Sequence, residues 1–275
     1  MAEDEGMHRA GLIGAPATLL GTLWARVLDA RSRRPVLGDE SSVAVADQID
    51  QEWSRLGVTT MMRLVTCVRA VQFDRWADEF LARHRDAVVI QLGVGLDTRH
   101  ARITSAPGVE WFDVDLDEVI NLRRRVIGEM AGVTMISSSA GDPKWLDQVP
   151  SGRPTLIIAE GLSMYLDPRT GGELLHRLST HFDGALIMDV NSSLGVVGQF
   201  MNRTVRGQGA RWTWLVNRPR SLQRYGLRLR EVRSSSDLVF AAMRGRVSPI
   251  VRQQYRLARL APGARGAGRL LRFTL

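Results

Sequence analysis

Residues 87–99 read Ala87-Val88-Val89-Ile90-Gln91-Leu92-Gly93-Val94-Gly95-Leu96-Asp97-Thr98-Arg99. The first six are mostly apolar and rich in β-branched side chains, which is typical of a strand buried on both faces of a sheet. The two glycines that follow allow the backbone to come close to a ligand at the carboxyl end of the strand. The stretch predicts an α/β protein with a ligand-binding loop after its first strand. A tight turn without a ligand is the alternative.

Further apolar runs and helical patterns extend this prediction on both sides. Strands are predicted at 109–114, 133–136, 155–159, 185–190, 227–232 and 268–275, and helices at 18–30, 59–83, 118–130, 170–181 and 250–260. Strands that alternate with helices predict a parallel sheet covered on both faces. We expect the last strand to pair antiparallel with the sixth.

The spacing of the glycine loop and the next strand suggests a nucleoside. A dinucleotide loop requires a third glycine where Thr98 stands, which disfavours a nicotinamide-dependent dehydrogenase and suits a cofactor without phosphate. Asp115 ends the second strand 20 residues after Gly95, the usual spacing for an acid that accepts ribose hydroxyls. Capping of the next helix by Asp115 is the alternative.

Two more acids follow the third and fourth predicted strands. Asp142 could accept a hydrogen bond from an adenine amino group, or cap the turn before Pro143. Glu160 lies at the mouth of a buried strand, where a carboxylate needs a partner. It could hold an ammonium group or line the reaction site, and a structural salt bridge is the competing interpretation.

Composition limits the remaining classes. The chain has 275 residues, of which 44% are hydrophobic and 24% charged, as in an ordinary globular protein. The single Cys67 excludes an internal disulfide and a cysteine-based zinc site, and we predict no metal site. The acidic start of the chain is unlike a signal peptide, and no apolar run is long enough to span a membrane. A cytoplasmic location is therefore expected.

Charge is unevenly distributed along the chain. Residues 201–275 hold 17 arginines and two acids, a net charge of +15, whereas residues 1–200 carry −7. Arginines mixed with aromatics near 211–230 leave an RNA substrate open as an alternative. No RNA-binding module is recognised, so nucleic acid is not the favoured partner. An acidic carrier protein bearing a tethered substrate is a further hypothesis.

Four ordered segments, 89–99, 111–116, 142–146 and 159–166, together resemble the leucine carboxyl methyltransferase family, in particular its bacterial branch of the tetracenomycin polyketide O-methyltransferase type. Residues 69–76 and 22–26 resemble the same family. The resemblance implies a class I methyltransferase fold: a Rossmann-like, seven-stranded, mostly parallel sheet with helices on both faces and an N-terminal helical lid. It also implies S-adenosylmethionine as cofactor.

The resemblance assigns roles by matching position, and these remain expectations at this point. Gly93, Gly95 and Asp97 would line the cofactor loop, Asp115 would hold the ribose, and Asp142 would lie near the adenine. Arg69 would meet the carboxylate of the cofactor, Glu160 would lie near its amino-acid part, and Tyr165 would face the substrate pocket. Val94 and Asp117 depart from the family pattern, which has Cys and Pro there.

The predicted organisation is a single domain with a lid at 1–58, a cofactor-binding core at 59–190 and a substrate-side region with C-terminal strands at 191–275. The predicted activity is O-methylation of a carboxylate or hydroxyl on a small molecule, such as a polyketide in antibiotic biosynthesis. A repurposed protein that binds the cofactor without methylating, for example a cyclase, is an alternative. No catalytic base is assigned, because His100 is expected on a helix surface. The sequence does not define the oligomeric state.

Overall fold

The computed structural model describes residues 18–195 and 211–275, so parts of the predicted lid (1–17) and of the C-terminal region (196–210) lie outside the described residues. A seven-stranded sheet in the order β3-β2-β1-β4-β5-β7-β6 forms its centre. The strands are β1 Val88–Leu92, β2 Glu110–Asp115, β3 Val133–Ser137, β4 Thr155–Ala159, β5 Gly184–Asn191, β6 Arg228–Ser234 and β7 Gly268–Thr274. The first five are parallel, and β7 runs antiparallel between β5 and β6. The predicted fold class and the antiparallel final strand are confirmed.

Eight α-helices are described, and we number them in chain order. They are α1 Thr18–Ala30, α2 Glu40–Asp47, α3 Thr60–Leu81, α4 Arg99–Arg102, α5 Asp117–Val126, α6 Pro168–His181, α7 Ser235–Ala242 and α8 Pro249–Ala258. Short 3₁₀ helices cover Trp53–Leu56, Pro143–Gln148, Ser163–Tyr165, Ser193–Gly195, Pro219–Tyr225 and Ala264–Gly266. No helix in the described part of the chain is both long and apolar enough to cross a membrane.

The sheet is buried on both faces because its central strands alternate side chains between two cores. Val88, Ile90 and Leu92 of β1 pack in the core that includes α6. Val89 packs in the opposite core, against Phe73 and other α3 residues. The apolar side chains on both faces of β1 therefore pack into a core, which explains why the strand is a nearly continuous hydrophobic run.

An N-terminal layer of α1 and α2 lies over the loop that follows β1. Leu23 and Val27 of α1 share a core with Leu96 of that loop and Leu122 of α5. Asp29 at the end of α1 accepts hydrogen bonds from three successive backbone N–H groups at 36–38, which fixes the turn between α1 and α2. This layer places α1 against the predicted ligand loop, as expected for a lid.

The expected surface position of His100 is wrong. Its side chain is 9% exposed, its Nε2 lies 3.2 Å from Oδ1 of Asp113, and its ring meets Trp111 edge-on at 4.8 Å. The reason is that α4 is a single turn directly after the loop, which directs His100 back onto β2 rather than outward.

Candidate functional site

A cavity of about 850 Å³ opens at the carboxyl ends of β1, β2, β4 and β5. Residues of α1 and α3 contribute to its walls, together with the loops after these strands and parts of the C-terminal region. This is the edge where open α/β sheets bind ligands, and the size is that of a small-molecule site. All but one of the predicted site residues line this cavity.

The glycine loop forms the part of the wall that follows β1. Gly93 and Gly95 have φ angles of +66° and +55°, a region that glycine adopts without strain. A Cβ at Gly93 would lie 3.0 Å from Cδ1 of Leu162, and one at Gly95 would lie 3.5 Å from Cβ of Leu19 in α1. The loop therefore needs glycine for its conformation, and at Gly93 also for space.

Asp115 joins the end of β2 to this loop. Its Oδ2 accepts a hydrogen bond of 2.7 Å from the N–H of Gly95, and its Oδ1 accepts one of 2.8 Å from the N–H of Leu116. Helix α5 begins at Asp117 with Leu116 at the N-cap position and no side-chain cap, so the capping alternative for Asp115 is wrong. Burial raises the pKa of this carboxyl, against the opposing effect of the two N–H groups. The carboxylate has further lone pairs available in the cavity.

A buried ion pair supports the loop from below. Arg123 of α5 donates to the carbonyls of Asp97 (2.7 Å) and Gly95 (3.2 Å), and it pairs with Asp113 at 2.6 Å. Asp113 does not line the cavity, which agrees with its deeper position on β2. Burial alone would raise the pKa of Asp113, but Arg123, His100 and Gln91 hold it below its usual value.

Asp97 and Glu160 share a network of arginines on the cavity wall. Asp97 pairs with Arg26 of α1 at 2.7 Å, and Glu160 pairs with Arg69 of α3 at 3.0 Å and with Arg99 at 2.5 Å. Burial opposes ionisation, yet the arginines hold the pKa of both carboxyls below their usual values. The structural salt bridge considered for Glu160 is therefore present, and Glu160 still lines the cavity.

The whole network carries more negative than positive groups. Its carboxylates are those of Asp39, Asp74, Asp97, Glu160 and Asp189, and its guanidiniums are those of Arg26, Arg69, Arg99 and Arg102. Five carboxylates against four guanidiniums leave one negative charge when all are ionised. Of these groups, those that line the cavity are Asp97, Glu160, Asp189, Arg26, Arg69 and Arg99, so the network gives the wall three charges of each sign.

Two predicted residues differ in where the structure places them. Tyr165 lines the cavity at the end of a 3₁₀ helix after β4, as expected for a pocket residue. Asp142 does not line the cavity: its Oδ1 accepts a 3.0 Å hydrogen bond from the N–H of Lys144 and caps the 3₁₀ helix that starts at Pro143. The wall near this loop is formed instead by residues 138–140.

Sequence reasoning missed three charged residues of the site. Asp189 near the end of β5 accepts from the N–H of Gly161 at 2.6 Å and pairs with Arg69 at 3.0 Å. Burial raises the pKa of Asp189 in spite of Arg69. Arg26 and Arg99, which also line the cavity, are the other two missed residues. The available signal was an acid near the carboxyl end of a central strand, the pattern that identified Asp115 and Glu160.

The far part of the cavity is largely apolar. Met61 and Val65 of α3, Met164, Trp212 and Tyr255 of α8 contribute to its walls. The buried Nε1 of Trp212 has no hydrogen-bond partner within the described ranges. This part therefore suits a ligand with an apolar, planar body that offers a hydrogen-bond acceptor.

Comparison with known proteins agrees with the site. Residues 20–139 match the model of the leucine carboxyl methyltransferase family. The chain is 41% identical to the tetracenomycin polyketide synthesis O-methyltransferase TcmP of Streptomyces glaucescens, over 96% of this chain and 97% of that protein. It is 33% identical to the S-adenosyl-L-methionine-dependent methyltransferase dpfgK of Gibberella zeae, over 83% and 84% of the two chains.

The fold has a counterpart among solved structures. A candidate methyltransferase from Thermobifida fusca YX superposes with a TM-score of 0.57 at 18% identity, covering 91% of this chain and 93% of that one. This likeness supports the fold alone. The sequence relatives, which span nearly the full chain, establish that it belongs to the leucine carboxyl methyltransferase family, and that it is an S-adenosylmethionine-dependent methyltransferase.

Proposed function

We propose that this protein transfers a methyl group to an oxygen of a small aromatic metabolite of the polyketide class, and that this oxygen belongs to a carboxylate. The observation that carries the proposal is the composition of the cavity: a polar part beside the glycine loop, with charged groups of both signs, continues into a largely apolar part. The names of the two relatives, TcmP and dpfgK, support methylation, and the name of TcmP supports a polyketide substrate.

The polar part fits the cofactor. Asp115 has lone pairs available for the ribose hydroxyls, and the glycine loop offers close backbone approach. Nη2 of Arg69 makes no hydrogen bond to the described residues, so it can meet a carboxylate, and Glu160 can accept from an ammonium group. The acids and arginines of the wall complement the amino-acid end of the cofactor, which carries both an ammonium and a carboxylate group. We assign Asp97 to the wall that contacts the cofactor, and we do not include Asp142 among the cofactor-binding residues.

The chain contributes positioning rather than acid–base chemistry. S-adenosylmethionine supplies a methyl group that is already activated on its sulfonium. The protein must therefore orient the acceptor oxygen and exclude water, which the walls formed by α1, α3 and Tyr165 can do.

The absence of a free base favours a carboxylate over a hydroxyl acceptor. No histidine lines the cavity in the described ranges, and the carboxylate of Asp189 is already paired with the guanidinium of Arg69 at 3.0 Å. A hydroxyl acceptor benefits from a general base, whereas an ionised carboxylate is nucleophilic without one.

A labelled-methyl assay tests the proposal. The protein is incubated with S-adenosylmethionine carrying a tritiated methyl group and with matched aromatic substrates, one bearing only a carboxylate and one only a phenol. We expect label in the acid, released as methanol by mild alkali because the product is an ester. Alkali-stable label in the phenol would reject the carboxylate, and label in RNA would reject the small-molecule class. Cofactor binding without transfer of label to any substrate would indicate a repurposed protein.

The partner is part of the same proposal. Exposed arginines at 218, 220, 224, 228, 230 and 233 offer a basic surface for an acidic carrier protein that bears the substrate. The assay is run with the substrate free and carrier-tethered. Faster methylation of the tethered form supports the carrier, and equal rates reject it.

A further inference from the structure

A second cavity lies apart from the methyl-transfer site and shares no lining residue with it. It has a volume of about 590 Å³ and lies between the segment after α1, helix α3 and the segment after α7. Its lining residues are Ser32, Arg33, Arg34, Arg63, Gly245 and Arg246. We call this cavity the arginine pocket.

The four arginines lack carboxylate partners. None of them forms a salt bridge within residues 18–195 and 211–275. Arg246 donates only to the backbone carbonyls of Arg34, Pro35 and Ala242, and Arg63 donates to the carbonyl of Leu28. Four positive charges therefore surround one concave space without neutralisation.

A nearby acid does not form an ion pair with these arginines. Asp29 is the buried carboxylate at the end of α1, and both of its oxygens accept from the backbone N–H groups at 36–38. Its hydrogen bonds hold the turn that carries Pro35 and leave the guanidiniums without a partner. The pocket therefore has a strong positive potential.

Two buried donors of the pocket also lack acceptors. The Oγ of Ser32 and the Nε of Arg63 are shielded from solvent and make no hydrogen bond to the described residues. Buried donors are normally satisfied, so an unsatisfied pair in one pocket requires an explanation. An anion with several acceptor oxygens would neutralise the arginines that line the pocket.

We propose that the arginine pocket binds a phosphate group, as a diphosphate or a phosphate ester. Guanidinium groups bind phosphate oxygens through paired, charge-assisted hydrogen bonds, and four of them match a ligand with two or more negative charges. Bound phosphate would tie the N-terminal layer to α3 and to the segment after α7. Arg63 lies next to Met62, which lines the methyl-transfer cavity, so the ligand would also stiffen that wall.

Calorimetry with inorganic pyrophosphate at constant ionic strength tests the site. We expect saturable one-to-one binding by the wild type and at least tenfold weaker binding by the Arg33→Gln/Arg34→Gln variant. Both side chains are exposed and donate no hydrogen bond to the described residues, so this variant should fold. The matched control is Arg83→Gln/Arg85→Gln, which removes the same charge from exposed positions outside the pocket and should bind like the wild type.

The outcomes separate a site from general charge attraction. Absence of saturable binding, or an equal loss in the control variant, would overturn the proposal. Arg63→Gln provides an independent variant inside the pocket and should also weaken binding. Pantetheine 4′-phosphate is the second probe: tighter binding than inorganic phosphate identifies an ester as the source, and tighter binding of the inorganic anion identifies the free ion. These measurements use neither cofactor nor acceptor, so they stand or fall independently of the methyl-transfer proposal.

Discussion

At the residue scale, the site depends on carboxylates held in defined environments. Asp115 is the clearest case, since one oxygen fixes the N–H of Gly95 and the other the N–H of Leu116. Burial raises its pKa, which reflects the cost of keeping a charged carboxylate in the cavity wall. Hydroxyl donors from a ligand would offset this cost, so the residue is suited to bind a ribose.

We predict that Asp115→Asn weakens S-adenosylmethionine binding roughly 10- to 100-fold, because hydrogen bonds to a charged acceptor contribute about 1.5–3 kcal/mol. Isothermal calorimetry of the apo-protein measures this. The control is Asp117→Asn, the same change two residues later on the exposed first turn of α5, which should leave the affinity unchanged. Equal affinities of the Asp115 variant and the wild type would reject the ribose role.

At the element scale, periodicity predicted the regular helices and strands closely. The helix predicted at 18–30 is α1 with the same ends, and the strand predicted at 268–275 is β7. Helices α2 and α7, α4 and the short 3₁₀ helices were not predicted, because segments of about two turns or less contain too few residues to show a clear period. Short-range caps fix some of them, as Asp142 caps the 3₁₀ helix at Pro143 by accepting from the N–H of Lys144.

Helix α6 illustrates a packing requirement that local sequence does not reveal. Gly171 lies where a Cβ would come within 2.1 Å of Cζ3 of Trp214, and the same helix holds Gly172 against Tyr225. Alanine is the better helix former by about 1 kcal/mol, so propensity alone would favour substitution. Close approach of the C-terminal region to α6 is the reason that glycine is required there.

We predict that Gly171→Ala lowers the free energy of unfolding by about 1–3 kcal/mol through overpacking, in spite of the gain in helix propensity. Urea denaturation monitored by tryptophan fluorescence measures the change. His176→Ala on the exposed face of the same helix is the control and should be neutral or slightly stabilising. A stabilised Gly171 variant would show that the C-terminal region does not pack against α6.

At the scale of the whole molecule, the charge asymmetry of the sequence divides into two structural roles. Five acids of the first 200 residues, Asp39, Asp74, Asp97, Glu160 and Asp189, form the network around the cavity, where they pair with Arg26, Arg69, Arg99 and Arg102. The described arginines of the C-terminal quarter are mostly exposed. Some of them form ion pairs, such as Arg265 with Asp237. Acid sensitivity should therefore arise from the network.

The way in which stability changes with pH follows from the direction in which each carboxyl pKa is shifted in the folded protein. The pKa values of Asp97, Asp113 and Glu160 are lowered in the folded protein, so their stabilisation is present above about pH 4 and is lost as pH falls through the folded values. Asp115 and Asp189 have raised pKa values and act in the opposite direction. Their contribution to the free energy of unfolding is present at low pH and is lost as pH rises through their pKa values in the folded protein.

We predict that Asp113→Asn costs about 3–5 kcal/mol at pH 7, because it leaves Arg123 buried without a counter-ion, and that this difference from the wild type narrows below about pH 4. Urea denaturation between pH 3 and pH 7 measures both. Asp86→Asn, at an exposed site, is the control and should show no pH-dependent difference. A constant difference for Asp113 across this range would contradict the assignment.

The sequence by itself determined the sheet, its helices and the family, because apolar periodicity and ordered motifs are local properties of the chain. It also identified Asp115 and Glu160, since strand ends in a parallel sheet meet at one edge. Only the tertiary structure placed Asp189 and Arg26 in the site and set His100 against β2. These outcomes depend on ion pairs and packing between residues far apart in the chain, and no local pattern encodes such partners.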